Sequence, residues 1–181
     1  METSNSLNHY SGVFTDQELD KIVELGGSME LLEAEVKYDD TSNVVDHKKR
    51  ITKIAWLHNS VESNWLYLRV AKLFSIHPVS MLQSMQYSVY HPTGHYKWHR
   101  DIGTEDNTEN RVVSATLQLS DPEDYMGGIL EIQIPKFYGV HDVVKVEKER
   151  GMVSMFPSGW RHRVTPVEKG IRKSLVMWGL K

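Results

Sequence analysis

The sequence predicts an α+β fold, mainly β, in which two helices lean on an eight-stranded double-sheet jelly roll within one domain. Three observations predict it. Residues 1–80 carry two amphipathic helical patterns with start and stop signals. From Met81 onward, apolar residues recur in short runs at strand spacing, punctuated by Gly, Pro, Asn and Asp. Eight such runs is the strand number of a double-sheet jelly roll. A chain of 181 residues with 40% hydrophobic composition suits one sizeable core.

The first helix opens at Phe14-Thr15-Asp16-Gln17-Glu18, where Thr15 is an N-cap and Glu18 stands at capping-box spacing. Leu19, Ile22, Val23 and Leu25 form its apolar stripe, and Gly26-Gly27 is read as its stop. Residues 32–38 read as a strand, 44–50 as a polar loop and 51–57 as a second strand. From Glu62 to Phe74 the residues Trp65, Leu66, Leu68, Val70, Leu73 and Phe74 suit a mostly buried helix, which His77-Pro78 ends. The eight later strands are expected at residues 82–90, 95–99, 112–119, 129–134, 143–146, 151–156, 162–167 and 172–179. Residues 1–80 are thus the helical and strand support of the jelly-roll core at 81–181.

Composition excludes several functions. Formal net charge is −3, so no bulk positive field draws the chain to nucleic acid. The short run His47-Lys48-Lys49-Arg50 reads as part of a solvated loop. There is no cysteine, which removes disulfides, thiolate metal sites and a thiol nucleophile. Residues 1–8 are polar and lack the apolar stretch of a signal peptide, and no apolar run approaches the length that spans a bilayer. These features predict a soluble, cytoplasmic protein without membrane or nucleic-acid partners; they leave the oligomeric state open.

The chemistry-bearing residues gather in the β-rich part. In His99-Arg100-Asp101 the first and third residues leave a strand from the same face, so an imidazole and a carboxylate point together. His162, at the start of a late strand, can complete a set of two His and one carboxylate. Such a set binds Fe(II) from one side and leaves positions open, which suit a bidentate 2-oxo acid and O₂. Taken singly, each residue has a plainer reading: His-x-Asp pairs are common on surfaces, and His162 can be a hydrogen-bonded sheet residue. His95 lies on the ligand face of the same strand and is an alternative choice. Arg172 opens the last strand, and alternation sends Arg172, Ser174 and Val176 to one face and Lys173, Leu175 and Met177 to the other. An inward Arg needs an anion, and the distal carboxylate of 2-oxoglutarate would supply one; the other reading is a surface Arg beside Lys173.

Three segments carry a resemblance. Tyr90-His91-Pro92-Thr93-Gly94-His95-Tyr96-Lys97-Trp98-His99-Arg100-Asp101 resembles the Tyr…Gly-x-Tyr-x-x-His-x-Asp segment of prolyl 4-hydroxylase-like 2-oxoglutarate/Fe(II) dioxygenases. Gly127-Gly128-Ile129-Leu130 resembles that family's Gly-Gly-x-Leu strand start. Phe156 to Val167, followed by Gly170-Ile171-Arg172 and Ser174 to Trp178, resembles its closing block. The resemblance covers residues 81–178 with all elements in order. It implies a cupin-like double-stranded β-helix, iron bound by His99, Asp101 and His162, and a 2-oxoglutarate carboxylate held by Arg172 and the Tyr90 hydroxyl. A further co-substrate contact falls at Gln118, where some relatives carry Tyr. Thr116 shares that face. Leu130 reads as core or an apolar wall, and Trp98 and Trp160 as packing or rim residues facing away from the metal. Cofactors implied are Fe(II), 2-oxoglutarate and O₂, with ascorbate an accessory reductant whose need is left open.

The resemblance favours hydroxylation of a prolyl residue in a peptide or protein, with release of succinate and CO₂. A free amino acid or other small molecule is the alternative substrate. Loops 102–111 and 39–50 are long enough to cover the site, though such segments are more often plain surface loops. Oxidative demethylation of bases lacks its second arginine beyond the last His. A non-catalytic cupin-like binding module predicts a broken triad or a missing Arg172. A zinc hydrolase lacks a dedicated base near His-x-Asp, and halogenation would need Asp101 replaced by a small residue.

Overall fold

The computed structural model describes residues 6–38, 42–103, 108–136 and 139–181. Its main sheet has antiparallel pairings throughout and runs in the order Asn8–Tyr10, Val153–Pro157, Arg111–Gln118, Arg172–Leu180, Met85–Tyr90, Lys53–Leu57, Leu32–Glu33. Met81–Leu82 pairs onto the end of Arg172–Leu180. Facing it is a second antiparallel sheet in the order His141–Lys145, Leu130–Pro135, His162–Val164, His95–His99, Arg50–Ile51. The expected double-stranded β-helix is therefore present, and the eight late strands lie where alternation placed them. Two runs divide: 82–90 breaks at Gln83-Ser84 into Met81–Leu82 and Met85–Tyr90, and 162–167 breaks at Thr165-Pro166, so that Val167–Gly170 pairs with Tyr125–Gly127 instead.

The helix α1 (Asp16–Gly27) carries the expected capping box, with Thr15 and Glu18 satisfying each other's backbone N–H groups. The helix ends with Gly26-Gly27 as expected, and Ser28 is the C-cap. Gly26 is there for closeness, since a Cβ would come 2.3 Å from the Tyr87 ring. The helix α2 (Asn64–Phe74) begins two residues later than its pattern and buries Leu66, Val70 and Phe74, while Leu68 faces solvent. Both helices cover one face of the main sheet, where Leu19, Ile22, Leu66 and Phe74 share a core with Met85, Leu117, Leu175 and Met177. No described helix is long and apolar enough to cross a membrane.

Two N-terminal expectations are corrected. The run 32–38 is not one strand: Leu32–Glu33 joins the main sheet, and Val36–Tyr38 pairs with Ser42–Val44. The run 51–57 likewise breaks at Thr52, so Arg50–Ile51 adds to the second sheet and Lys53–Leu57 to the main one. Alternation is continuous across such a break because it reports face, not partner. Residues 1–5, 39–41 and 104–107, parts of the polar N-terminus and of the two loops read as covering segments, lie outside the described residues.

Candidate active site

Between the sheets lies a cavity of about 1670 Å³, walled by His99, Asp101, His162 and Arg172 among others. His99 ends the strand His95–His99, and register pairing sets it directly opposite His162. Asp101 follows two residues on, its backbone N–H held 3.0 Å from the Ser158 carbonyl. Nδ1 of His99 lies 2.8 Å from the Lys97 carbonyl and Nδ1 of His162 lies 3.1 Å from the Trp160 carbonyl. These carbonyls accept the Nδ1 protons, so that each Nε2 is turned inward toward Asp101. The two Nε2 atoms stand 3.6 and 3.5 Å from Asp101 Oδ1. One donor atom from each residue lies within 4.8 Å of the others.

The environment is that of a cation site. Asp101 Oδ2 is buried and has no hydrogen-bond partner. Burial works against its charge, but His162, through charge and a hydrogen bond, together with His99 and Ser114, outweighs burial and holds Asp101 below the usual carboxylate range. Burial pushes the His99 imidazole well below its ordinary value, and the charge of His162 adds to that. Burial also opposes the His162 charge, yet Asp101 raises its pKa overall. Two inward nitrogens and a carboxylate, one oxygen of it unpartnered, converge where a divalent ion would satisfy all three. A divalent metal fits, and three donors leave open positions on it. His95, the alternative choice, is not in the group; its Nδ1 lies 3.0 Å from the Thr93 carbonyl.

Arg172 is 1% exposed and points into the cavity, with Ser174 and Val176 on the same wall as alternation required. Its Nη1 donates to Ser174 Oγ and its Nη2 to Gln118 Oε1, both at 3.0 Å, while Nε is buried without a partner. Gln118 thus touches the arginine. Tyr90 is buried, its ring centroid 5.2 Å from the Arg172 guanidinium carbon. Thr116 and Leu130 line the cavity, and Leu130 also belongs to the second apolar cluster with Trp160. Trp98 lies at the rim under Arg163. The Gly127-Gly128 pair makes room for this arrangement: both residues have positive φ, and a Cβ on Gly128 would come 3.1 Å from Arg172 Cδ.

Two residues escaped sequence reading. The Tyr125 hydroxyl is buried without a geometric hydrogen-bond partner, and its pKa is raised by burial and eased down by the charge of nearby Arg172. It follows the short turn Pro122–Asp124 and carried no periodic signal. Arg50 corrects the solvated-loop reading of its run: His47 and Lys48 are exposed, but Arg50 is 6% exposed and lines the cavity. Its only signal was its position at the start of an alternating run.

The family model described as 2OG-Fe(II) oxygenase superfamily matches residues 85–179, more than half of the chain. The chain belongs to that superfamily and is an oxidoreductase, a dioxygenase, as its motifs implied. Membership implies Fe(II), 2-oxoglutarate and O₂. It is 29% identical over 171 residues to a PKHD-type hydroxylase of Synechococcus elongatus, covering 93% of this chain and 70% of that protein. It is 27% identical over 176 residues to the PKHD-type hydroxylase YbiX of Shigella dysenteriae, covering 94% and 76%. The fold matches a Pseudomonas putida prolyl-4-hydroxylase with a TM-score of 0.71 at 22% identity, covering 98% of this chain and 94% of that one. It matches a Trichoplax adhaerens prolyl hydroxylase, solved with a hypoxia inducible factor peptide fragment, with a TM-score of 0.77 at 19% identity, covering 98% and 84%.

Proposed function

We propose that this dioxygenase hydroxylates a prolyl residue in a peptide or protein, with His99, Asp101 and His162 holding Fe(II) and Arg172 anchoring the distal carboxylate of 2-oxoglutarate. The observation that carries this reading is the joint placement, in one cavity, of the converging triad and a buried arginine whose Nε lacks a partner. Tyr90 lines the co-substrate end beside Arg172, and Gln118 accepts a hydrogen bond from that arginine. The PKHD-type hydroxylase relatives and the peptide-bound prolyl hydroxylase neighbour favour a peptidyl substrate.

When bound, iron and 2-oxoglutarate supply the oxidation: one oxygen of O₂ enters the substrate C–H bond and the other the succinate formed with CO₂. The chain's own part is to fix geometry. The Lys97 and Trp160 carbonyls hold the two imidazoles in one tautomer, and the stacked Tyr96 ring, its centroid 3.4 Å from that of His99, stops the latter from turning. Arg172 gives the co-substrate a bidentate fork in exchange for its hydrogen bonds to Ser174 and Gln118. Leu130 and Val164 supply an apolar wall that limits water. Ascorbate, as a reductant for iron, is part of this reading.

Anaerobic addition of Fe(II) and then 2-oxoglutarate should produce a weak visible charge-transfer band that needs both, bleaches on admitting O₂ and leaves succinate. A proline-containing peptide should then gain one oxygen. Bound iron without a band would overturn the co-substrate assignment; succinate without any oxygen on proline-containing substrates would overturn the prolyl reading.

A further inference from the structure

Three arginines of the cavity wall are buried: Arg50, Arg111 and Arg172. Two are accounted for. Arg172 bonds Ser174 and Gln118 and faces the co-substrate end. Arg111 donates from Nε to Gln83 Oε1 at 2.7 Å and from Nη1 to the Asp101 carbonyl at 3.2 Å, with its guanidinium carbon 3.9 Å from the Trp178 ring. Arg50 has no such partners. Its Nε and Nη2 are both buried and both unpaired.

Those two atoms form one edge of the guanidinium, where two N–H bonds point the same way. That edge matches the two oxygens of a carboxylate, and leaving it unpaired in a buried site is costly. The group is also held still. Arg50 is paired in register with Tyr96, and its guanidinium carbon lies 4.4 Å from the Tyr96 ring centroid. The same Tyr96 ring stacks on His99 at 3.4 Å. Arg50 and the triad residue His99 therefore pack on the same aromatic ring. The surrounding field agrees: among the described residues, eight Lys and Arg line the cavity against four Asp and Glu, although the chain's net charge is −3.

We propose that Arg50 is the receptor for a carboxylate of the substrate, so that this dioxygenase selects molecules carrying an acidic group beside the carbon it hydroxylates. The inference rests on the reading that the substrate occupies this cavity. The carboxylate is either an acidic side chain flanking the target residue or the free α-carboxylate of an amino acid, and both present the same two oxygens to Arg50.

The test is affinity selection on the intact protein loaded with Fe(II) and 2-oxoglutarate under nitrogen. The probes are acetylated, amidated pentapeptides Ala-Xaa-Pro-Xaa-Ala with Glu, Gln, Lys or Ala at Xaa, plus free proline and prolinamide, read by mass spectrometry before and after air is admitted. The wild-type protein should retain a carboxylate-bearing probe at least about ten-fold over its carboxamide twin. Retention of Glu peptides assigns the side chain, and of proline over prolinamide the α-carboxylate. Arg50→Gln should erase the preference, and Arg50→Lys, which keeps the charge without the fork, should leave a smaller one. Should Arg50→Gln fail to fold, the wild-type ratio and Arg50→Lys still decide. Equal retention of acid and amide twins, retention of neither, or an undiminished preference in both variants would overturn the proposal. Oxygen entering proline without charge preference sinks the Arg50 assignment alone. Selective retention of acids, with no oxygen entering proline, supports Arg50 and sinks the prolyl reading.

Discussion

The two faces of the main sheet are both buried, yet they are built from opposite chemistry. On the helix side Met85, Tyr87, Val113, Ala115, Leu117, Leu175 and Met177 form an apolar core. On the cavity side the alternate residues of the same three strands are Gln86, Ser88, Ser114, Thr116, Gln118, Arg172 and Ser174, all buried as well. A face chosen for stability would not be polar, because each buried donor or acceptor needs a partner. The difference teaches that the helix face holds the fold together and the cavity face is kept polar for what binds there. Ser174 and Gln118 occupy Arg172, and Gln86 donates to Ser88 at 2.9 Å, so much of that polarity is satisfied internally.

Substitutions on the cavity side should cost function, and those on the helix side stability. The largest effect is expected at the triad. Asp101→Ala should abolish hydroxylation and iron-dependent succinate release while the protein still folds; iron binding by calorimetry and a melting curve check both halves. Full activity would remove Asp101 from the site. Arg172→Met comes next. Losing a buried charge-assisted pair is worth about 3 kcal/mol, so the 2-oxoglutarate concentration needed should rise roughly 100-fold. Tyr125→Phe, removing the unpartnered hydroxyl near Arg172, should raise it only a few-fold; an unchanged requirement in either variant separates that residue from the co-substrate.

On the helix face, Leu175→Ala should destabilise the fold by about 2–5 kcal/mol with the 2-oxoglutarate requirement unaltered, whereas its neighbour Ser174→Ala should do the reverse. Chemical denaturation alongside 2-oxoglutarate titration of the two variants is a direct trial of the two-face contrast. The smallest effect is at the helix start. The Thr15 backbone N–H, and then Arg69, lower the Glu18 pKa. Its contribution is therefore present above the ordinary carboxylate pKa and lost as pH falls through the lowered value. Glu18→Gln should cost about 1 kcal/mol at neutral pH and flatten the loss of stability on that acidic side; equal acid sensitivity in both proteins would count against it.

Much of this was legible because it is local. Period-two alternation placed Arg172 and Ser174 on one wall and Leu175 on the other before any contact was known. The spacing in His99-Arg100-Asp101 put imidazole and carboxylate together, and the Thr15–Glu18 pair announced a helix start. Less legible were the places where neighbours in space decide. The Gly26-Gly27 pair ends α1 as its sequence suggests, but that Gly26 also makes room for the Tyr87 ring was not legible. Leu68 fits an apolar helix stripe, yet it faces solvent because the main sheet reaches only one side of α2.

By itself, then, the sequence determined the faces of the strands, since short-range spacing suffices for these, and the resemblance of its ordered motifs to a known family pointed to the oxygenase class. Only the tertiary structure decided which sheet each N-terminal strand joined, that His162 stands opposite His99, that Arg50 lines the cavity and that Tyr125 lies near Arg172. The physical reason is that strand partnership and burial of a charged side chain are settled by groups distant in the chain. Arg50 shows it most clearly: within a polar run it looks solvated, and pairing opposite Tyr96 removes it from water and leaves two buried donors unpaired.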